Sequence, residues 1–517
     1  MKRALLLVAC LGCGARAGLN VPEPEDVACD TAADCDNGLY CDGLERCNDH
    51  RCVPAEAGPC PRVDDPCLVA RCEETTRQCS SAPRTEDRDR DGHREAQAGL
   101  ASRCGDDCDD RDPAVHPGQA ERCNGRDDDC NGVIDDGAQL SPTGVLHRVS
   151  PPALSPAGPA GLAWQGDHYI ASEWAYSQGK ARIYLNHLDR DGVSVAPREA
   201  LTSAVADAFG AQLVAQGQTL GAVWQDRRDP GGGYEIYFQH LAPNGARSGP
   251  DLRVTRAPGF SGNPAMVATS AGFVIVWQDD RDQARSGHFS LYLQAVSADG
   301  RLVGANQRLT TPGPDESDES PAIARGASRV AVAFMRAGPR GRRVYLVTLD
   351  EARHLPRSLS ALSPPDESAV QPGLQALRDG FMVTWYEDRA EAPRRAISAR
   401  WLDHEGVALS APSPLVAHPN AFVRSPALLS QGDRALLVWA DDHRAQRFDL
   451  WANVFRPGAR FVAEPHGALA LTPSVAESAS VAPVLARGPE GDVGVFFRDN
   501  REGHIGTWFT ALRCSAR

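Results

Sequence analysis

The sequence predicts an all-β protein: a seven-bladed β-propeller preceded by a small disulfide- and ion-stapled Cys/Asp-rich region with little regular structure. Three observations predict this fold. A phrase of an aromatic residue followed by Asp and Arg recurs along the chain, and successive copies lie 50 to 58 residues apart. Short apolar runs alternate with Gly, Pro and Asp turns around each copy. A period of this length is typical of propeller blades and too long for most solenoids.

Five copies of the phrase are clear and two are weaker. The clear copies begin at Trp224, Trp277, Trp385, Trp439 and Phe497, and the weaker ones at Trp174 and Phe334. Each unit contains a Pro-led apolar run, a run ending in the aromatic residue, a third run and a short fourth run. Four strands form a propeller blade, so seven copies predict seven blades. We expect the repeated Trp, Asp and Arg to be scaffold, because a group needed in every blade serves packing before recognition. The units resemble exported bacterial propellers with W-x-D-x-R repeats.

The predicted propeller spans residues 144–514, and the two ends of this range indicate how the ring closes. The last copy stops after its third strand, near Thr507 to Leu512, whereas Leu146 to Ser150 resemble an orphan fourth strand. Pairing these strands would close the ring and bring Cys514 towards the residues before Leu146. Cys514 is therefore a candidate partner for an odd cysteine of the Cys-rich segment.

The acidity of the chain is confined to its first part. Residues 14–140 hold 30 Asp and Glu against 14 Lys and Arg, a net charge of −16, whereas residues 141–517 hold 38 of each. The whole chain carries −14. This balance offers no basic surface for a nucleic acid, so we expect no nucleic-acid partner.

The beginning of the chain predicts export. Residues 1–12 have a positive start and an apolar run, which is typical of a signal peptide and shorter than the roughly 20 apolar residues of a membrane span. The run ends in a sequence that resembles a bacterial lipobox, with Cys13 as the lipidated residue or Cys10 as the alternative. Residues 13–28 would then be a tether. The resemblance implies an outer-membrane lipoprotein, surface-exposed or extracellular, that contacts the membrane through its lipid anchor only.

Residues 29–83 predict a Cys-rich disulfide module. Apolar periodicity is weak there, so disulfides must replace a hydrophobic core. The phrase from Asp34 to Glu45 resembles Cys-rich modules in secreted proteins of predatory bacteria and, more loosely, Dickkopf-type modules. Zinc is disfavoured because the module contains no CxxC pair and exported thiolates usually oxidise. The predicted disulfide cysteines are Cys29, Cys35, Cys41, Cys47, Cys52, Cys60, Cys67, Cys72, Cys79, Cys104, Cys108, Cys123, Cys130 and Cys514.

Residues 84–138 predict a metal-binding segment rich in carboxylates. The phrase from Asp87 to Gly92 matches the start of an EF-hand-like calcium loop, but Ala98 stands where an EF-hand has Glu. The phrase recurs from Asp127 to Gly132. With the residues between them, the two phrases resemble the MopE-type metal-binding motif of secreted bacterial proteins. The candidate ligands are Asp87, Asp89, Asp91, Asp107, Asp109, Asp112, Asp127, Asp129, Asn131 and Asp135.

The donor atoms favour Ca²⁺ as the bound ion, with Cu²⁺ as the alternative. The MopE-type family is labelled for copper, which prefers imidazole, thioether or thiolate ligands. This segment offers carboxylates and carbonyls instead, with only His93 and His116 nearby. Hard oxygen ligands suit Ca²⁺, and such extracellular sites serve to rigidify. A solvated acidic linker without an ion is the other interpretation.

No familiar catalytic motif occurs in the sequence. GxSxG, HExxH, P-loop and sialidase-type Asp-box phrases are absent. We therefore predict that the protein is not an enzyme but a surface-anchored binding or adhesion lipoprotein, whose propeller presents a face to an extracellular glycan or protein. The alternatives are a propeller hydrolase or lyase acting on extracellular polymers, and a structural surface spacer. A binder should carry one chemically distinctive propeller face, whereas a spacer should not.

Overall fold

The computed structural model describes most of the chain from residue 28 onwards. The described residues are 28–55, 58–96, 104–152, 155–203, 205–229, 233–282, 287–351, 354–365, 368–388, 395–418, 422–443, 447–458, 462–463, 467–473 and 478–516. The predicted signal peptide, both candidate lipidation sites and the tether up to residue 27 lie outside them. Within these ranges, no helix is long and apolar enough to cross a membrane.

The described chain divides into two compact units. Residues up to Gln119 form the first, together with Asp129–Asn131, and we call it the Cys-rich unit. Residues Ala120–Asp128 and the chain from Gly132 onwards form the second, which we call the propeller unit.

The Cys-rich unit has little regular structure, as predicted. Its described elements are a 3₁₀ turn (Ala32–Cys35) and two hairpins, β1 (Arg46–Asn48) with β2 (Arg51–Val53) and β3 (Leu68–Glu73) with β4 (Gln78–Pro83). Six disulfides hold it: Cys29–Cys47, Cys35–Cys52, Cys41–Cys72, Cys60–Cys79, Cys67–Cys104 and Cys108–Cys130. The odd cysteine among the first nine is therefore Cys67.

The propeller unit consists of seven antiparallel sheets, which confirms the predicted fold. Two strands precede the first blade, β5 (Ala138–Pro142) and β6 (His147–Arg148). Blade 1 contains β7 (Ser155–Gln165), β8 (His168–Ser177), β9 (Lys180–Leu188) and β10 (Ser194–Ala200). Blade 2 contains β11 (Ala208–Gln216), β12 (Thr219–Asp226), β13 (Glu235–Leu241) and β14 (Leu252–Arg253). Blade 3 contains β15 (Ser261–Thr269), β16 (Gly272–Asp279), β17 (Ser290–Ser297) and β18 (Leu302–Arg308).

The remaining blades follow the same order. Blade 4 contains β19 (Ser317–Arg325), β20 (Arg329–Gly338), β21 (Gly341–Asp350) and β22 (Pro356–Ala361). Blade 5 contains β23 (Ser368–Leu377), β24 (Gly380–Asp388), β25 (Arg395–Leu402) and β26 (Ser413–Ala417). Blade 6 contains β27 (Val423–Gln431), β28 (Arg434–Asp441), β29 (Asp449–Arg456), β30 (Val462–Ala463) and β31 (Leu469–Ala470). Blade 7 contains β32 (Val481–Arg487), a 3₁₀ turn (Pro489–Gly491), β33 (Val493–Asp499) and β34 (Gly506–Ala516).

The ring closes through strands from both ends of the propeller unit. β34 pairs with β6, where Trp508 lies opposite Arg148, and this confirms the predicted closure. β34 continues further and also pairs with β5.

The prediction that Cys514 bonds to the odd cysteine of the Cys-rich segment was wrong. Cys514 lies opposite Leu140 in the β34–β5 pairing and is bonded to Cys123. The chain that leads into β5 places Cys123 beside β34. The odd cysteine Cys67 forms its disulfide with Cys104 instead.

Large aromatic side chains fill the core between neighbouring blades. Trp224 and Trp277 are fully buried, and Trp224 packs with Ile183 of blade 1 in one hydrophobic cluster. At the closure, the ring of Tyr169 in blade 1 lies 5.2 Å from the ring of Phe509 in blade 7. The repeat therefore continues across the join between the first and last blades.

The repeated phrase forms a hydrogen-bonded clasp inside its blade. In blade 3, Trp277 Nε1 donates to the carboxylate of Asp279 at 2.8 Å, and Arg281 Nε and Nη2 donate to it at 2.7 and 2.6 Å. Equivalent bonds from indole to carboxylate occur at Trp224 and Trp385. These contacts lie within single blades, as expected for a scaffold.

Candidate metal centre and propeller mouth

The first candidate site lies in the Cys-rich unit, where an acidic loop closes on itself. The N–H groups of Arg90 and Gly92 donate to the carboxylate of Asp87 at 2.7 and 3.3 Å. Gly92 has a φ of 100°, a conformation that glycine adopts without steric cost. The loop brings one carboxylate oxygen each of Asp87, Asp89 and Asp91 within 4.8 Å of one another.

Backbone hydrogen bonds join this loop to the segment beginning at Asp107. The N–H of Asp107 donates to the carbonyl of Arg94 at 3.0 Å, and the N–H of Ala96 donates to the carbonyl of Asp107 at 2.7 Å. Carboxylate oxygens of Asp89, Asp107 and Asp110 consequently lie within 4.8 Å of one another. Asp89 belongs to both groups, so the two groups form one acidic centre.

Four carboxylate oxygens of this centre are buried without a hydrogen-bond partner in the described structure. They are Oδ2 of Asp89, Asp91, Asp107 and Asp110. Asp107 and Asp110 are only 1% and 4% exposed, although Arg88 Nε lies 3.7 Å from Asp110 Oδ2. Burial raises the pKa of Asp107, and the charges of Asp91 and Asp89 raise it further. Free oxygens on buried like charges are the donor set that a hard cation requires.

The acidic centre contains four of the predicted ligands and one that was missed. The four are Asp87, Asp89, Asp91 and Asp107. The predicted set included Asp109 and Asp112 and omitted Asp110. These residues lie in a turn, in which the N–H of Asp112 donates to the carbonyl of Asp109 at 2.9 Å. Neither Asp109 nor Asp112 belongs to the two groups within the described residues.

The second acidic phrase is divided between the two units. Within the propeller unit, the N–H of Gly132 donates to Asp127 at 2.8 Å. Within the Cys-rich unit, the N–H of Asn131 donates to Asp129 at 3.1 Å. These are the local bonds of an Asp-rich turn, and they do not identify an ion.

Asp135 is buried in the propeller unit and has protein partners. Arg434 Nη2 donates to it at 2.7 Å, and the N–H of Gly125 donates at 2.8 Å. Burial raises the pKa of Asp135, whereas the charge of Arg434 opposes that rise. Because Arg434 balances this carboxylate, its burial needs no metal ion.

The second candidate site is the mouth of the central channel, where the inner strands of six blades carry a bulge residue with positive φ. These residues are Gly210, Asn263, Ser320, Gln371, Ser425 and Ala482. All but Gly210 precede a proline. Proline has no N–H for the strand ladder and is tolerated at bulges. Residues of all seven blades line a cavity of about 580 Å³ here.

The repeated phrase also fixes these bulges. Gln225, which follows Trp224, accepts the N–H of Asn263 in the next blade at 2.8 Å. Gln278 accepts the N–H of Ser320 in the same way at 3.1 Å. A non-glycine residue with positive φ costs about 1–3 kcal/mol, so bonds from the preceding blade help to hold the mouth in shape.

Partly exposed aromatic rings form a continuous arc at the mouth. They belong to blades 1 to 3 and are Trp174, Phe209, Tyr234, Phe260 and Phe289, which we call the aromatic arc. Successive ring centroids are 4.9, 6.0, 5.7 and 5.6 Å apart. Contacts between rings hold each side chain in place and leave part of its surface open to a ligand.

Arginine side chains occupy the same face in blades 5 to 7. The guanidinium of Arg395 lies 4.2 Å from the ring centroid of Phe422, and that of Arg424 lies 3.4 Å from the centroid of Phe448. Burial lowers the pKa of Arg424, and the neighbouring charge of Arg498 lowers it further. Arg395, Arg424 and Arg498, from adjacent blades, therefore lie near one another on this face, and the charge of Asp442 offsets part of their effect on Arg424.

The opposite face of the propeller has a different chemistry. Its turns contain Asp-Gly, Asn-Gly or Glu-Gly pairs with positive φ at the glycine, at Gly192, Gly245, Gly300 and Gly406.

The aromatic arc was not predicted from the sequence, although the sequence contains a signal for it. An aromatic residue directly precedes a first or third strand at Tyr234, Phe260, Phe289, Phe422 and Phe448.

Comparisons with known proteins support the metal-binding motif. Residues 107–136 match the family Cu-binding_MopE, described as "Putative metal-binding motif". No curated protein matches the chain.

Solved structures resemble the chain at low sequence identity. A protein of unknown function from Dyadobacter fermentans is 9% identical with a TM-score of 0.44, covering 74% of this chain and 100% of its own. An oligogalacturonate lyase from Vibrio parahaemolyticus is 12% identical with a TM-score of 0.45, covering 72% and 96%. The phage phi92 endosialidase is 10% identical with a TM-score of 0.42, covering 72% and 69%.

The prediction that the chain is not an enzyme is contradicted by these comparisons. The solved propellers it resembles are mostly enzymes, including an endo-arabinase and a family-43 glycoside hydrolase beside the lyase and the endosialidase. Missing sequence motifs are a poor guide here, because loops of different blades can together supply catalytic residues. At these identities and TM-scores, the likeness assigns no reaction to this chain.

Proposed function

We propose that this chain is an exported protein that binds an acidic polysaccharide at the propeller mouth and uses Ca²⁺ to rigidify its Cys-rich unit. The observation that carries the proposal is that the aromatic arc and three arginines lie on the same face of the propeller. The seven disulfides support an oxidising extracellular location. We keep a lipid on Cys13 as the proposed attachment to the outer membrane.

An acidic sugar chain fits both halves of the mouth. Sugar rings have apolar C–H faces that can pack on the exposed parts of Phe209 and Phe260. Carboxylate groups on the same chain can pair with Arg424 and its neighbours, since arginine forms short charge-assisted hydrogen bonds with carboxylates. The described turns of the opposite face offer no Phe, Tyr or Trp ring, and Arg301 there is paired with Asp299. We therefore expect binding on the mouth face only.

Replacing Arg424 with alanine is expected to weaken binding of polygalacturonate at least tenfold. Charge-assisted hydrogen bonds contribute about 1.5–3 kcal/mol, and a loss of 1.4 kcal/mol is already tenfold. Phe209→Ala should weaken binding through lost ring contact. Affinity electrophoresis in gels containing the polymer would measure both effects, and rising salt should reduce retardation.

Arg301→Ala is the matched control for the Arg424 variant. Arg301 lies on the opposite face, is 83% exposed, and pairs with Asp299 at 3.1 Å. Its variant should bind as well as the unchanged protein. Equal retardation of the Arg424 and Arg301 variants would refute the mouth as the binding site. Measuring new chain ends during the same incubation would show whether the bound polymer is also cut.

The acidic centre supports Ca²⁺ as the ion of the Cys-rich unit. Its five carboxylates offer oxygen atoms, and four of its buried oxygens have no hydrogen-bond donor in the described structure. Disulfides fix the surrounding chain but cannot neutralise the charge of Asp107, whereas a divalent cation can do so. His93 and His116 stack with ring centroids 4.8 Å apart, so Cu²⁺ binding there is a separate outcome to measure.

Asp107→Asn is expected to weaken Ca²⁺ binding at least tenfold, because a neutral amide replaces a central carboxylate. For the unchanged protein, calorimetry on the oxidised full chain should find a dissociation constant for Ca²⁺ on the order of 10⁻⁴ to 10⁻³ M. Asp64→Asn removes an exposed acid of the same unit and should leave binding intact. Equal Ca²⁺ affinities of the Asp107→Asn and Asp64→Asn variants would overturn the calcium assignment. So would Cu²⁺ binding that is tighter than Ca²⁺ binding and is lost in the Asp107→Asn variant.

A further inference from the structure

Blade 6 departs from the repeated clasp at one position. In blades 2, 3 and 7 the residue two places after the clasp Asp is Arg228, Arg281 or Arg501. In blade 6 it is His443, which follows Asp441. The backbone is unchanged, since the N–H of His443 donates to Asp441 Oδ1 at 2.7 Å, as that of Arg281 donates to Asp279 at 3.0 Å.

Two imidazoles occupy the place of the guanidinium. Nδ1 of His443 lies 2.5 Å from Asp441 Oδ1, and Nε2 of His418 lies 3.2 Å from Asp441 Oδ2. The two rings stack with centroids 4.7 Å apart. His418 comes from the chain between blades 5 and 6, so two separate segments converge on one carboxylate.

The exchange alters the charge around a buried carboxylate. Asp441 is 1% exposed. At the equivalent position of blades 3 and 7, Arg281 and Arg501 supply a permanent positive charge to the clasp carboxylate. Among the described residues, the ion-pair partners of Asp441 are His418 and His443. Neither imidazole carries the permanent charge of a guanidinium, whereas a bound divalent cation would compensate the carboxylate charge.

We propose that His418, Asp441 and His443 form a site for a divalent transition-metal ion of the Zn²⁺ class. One ligand atom from each residue lies within 4.8 Å of the others. Imidazole nitrogens select zinc, copper or nickel over Ca²⁺, and two His with one carboxylate are a common ligand set for such ions. The His side chains are 38% and 30% exposed, so water or a ligand can reach the remaining coordination positions.

A neighbouring tryptophan supports the ligand geometry. The ring of Trp451 is 3% exposed and lies 4.7 Å from the ring of His443, which limits how far that imidazole can rotate. The site lies on the same propeller face as the aromatic arc. It differs from the acidic centre of the Cys-rich unit in donor type, so the two sites should select different ions.

The test is calorimetry of Zn²⁺ binding to the metal-stripped, oxidised full chain with Ca²⁺ in excess. We expect one Zn²⁺ to bind in the micromolar range or tighter and Co²⁺ to give visible absorption bands of a nitrogen and oxygen site. His443→Arg restores the side chain that blades 2, 3 and 7 use, so the variant should fold normally and lose affinity at least a hundredfold. His418→Ala should lose affinity similarly.

Two controls make the result specific. His116→Ala and Asp107→Asn alter the Cys-rich unit and should leave this Zn²⁺ binding unchanged. The proposal fails if the unchanged protein binds neither Zn²⁺ nor Co²⁺ below millimolar concentration. It also fails if His443→Arg, folded by its tryptophan fluorescence, binds Zn²⁺ as tightly as before.

Discussion

Replacing both Cys123 and Cys514 with serine is expected to lower the free energy of unfolding of the propeller unit by about 5–6 kcal/mol. The disulfide joins residues separated by 391 positions. In the chain-entropy account, a cross-link stabilises by restricting the unfolded chain, and the effect grows with the logarithm of the loop length. β5 and β34 would still pair in the variant, so the ring can form but opens more easily at its closure.

Urea unfolding followed by tryptophan fluorescence would measure this effect. All nine tryptophans lie between Trp164 and Trp508, so the signal reports the propeller unit alone. The matched control is the double serine variant of Cys60 and Cys79, which are separated by 19 positions in the Cys-rich unit. We expect the control to leave the fluorescence midpoint unchanged. An unchanged midpoint in the Cys123 and Cys514 variant would show that strand pairing alone secures the ring.

The ring could be predicted because its repeat is carried by large buried side chains at constant spacing. Trp224, Trp277 and Trp385 need the same pocket in every blade, so their positions define the period. The closure through His147–Arg148 followed from counting strands. β5 was not predicted, because Ala138–Pro142 is a short run with a single large apolar residue and becomes a strand only beside β34.

The candidate sites were less predictable because they depend on which chain segments meet. Fourteen cysteines allow many pairings, and only the folded chain shows that Cys67 pairs with Cys104. Asp110 was missed because a local turn, not residue type, directs its carboxylate into the acidic centre. His418 and His443 lie 25 positions apart in the sequence and meet only when blade 5 passes to blade 6.

Asp279→Ala is expected to destabilise the propeller unit by about 3–5 kcal/mol, the usual effect of removing one partner of a buried ion pair. The change leaves Arg281, 16% exposed, without its carboxylate and removes the acceptor of Trp277 Nε1. Asp299→Ala is the matched control, because Asp299 is 61% exposed at a turn of the same blade. We expect that variant to lose less than about 0.5 kcal/mol.

The pH dependence of stability provides an independent test of the same clasp. Burial alone would raise the pKa of Asp279, but hydrogen bonds from Arg281 and Trp277 outweigh it and hold the pKa below its ordinary value. A carboxyl with a lowered folded-state pKa stabilises the fold above its unfolded pKa of about 3.9, and the stabilisation disappears as pH falls through the folded value. Asp279→Asn cannot lose a charge, so its stability should fall less steeply with acid than that of the unchanged protein. Parallel stability curves for the two proteins between pH 5 and 2 would show that the charge of Asp279 does not contribute to the stability of the clasp. Blade 6 could then have histidine in place of arginine without destabilising the ring.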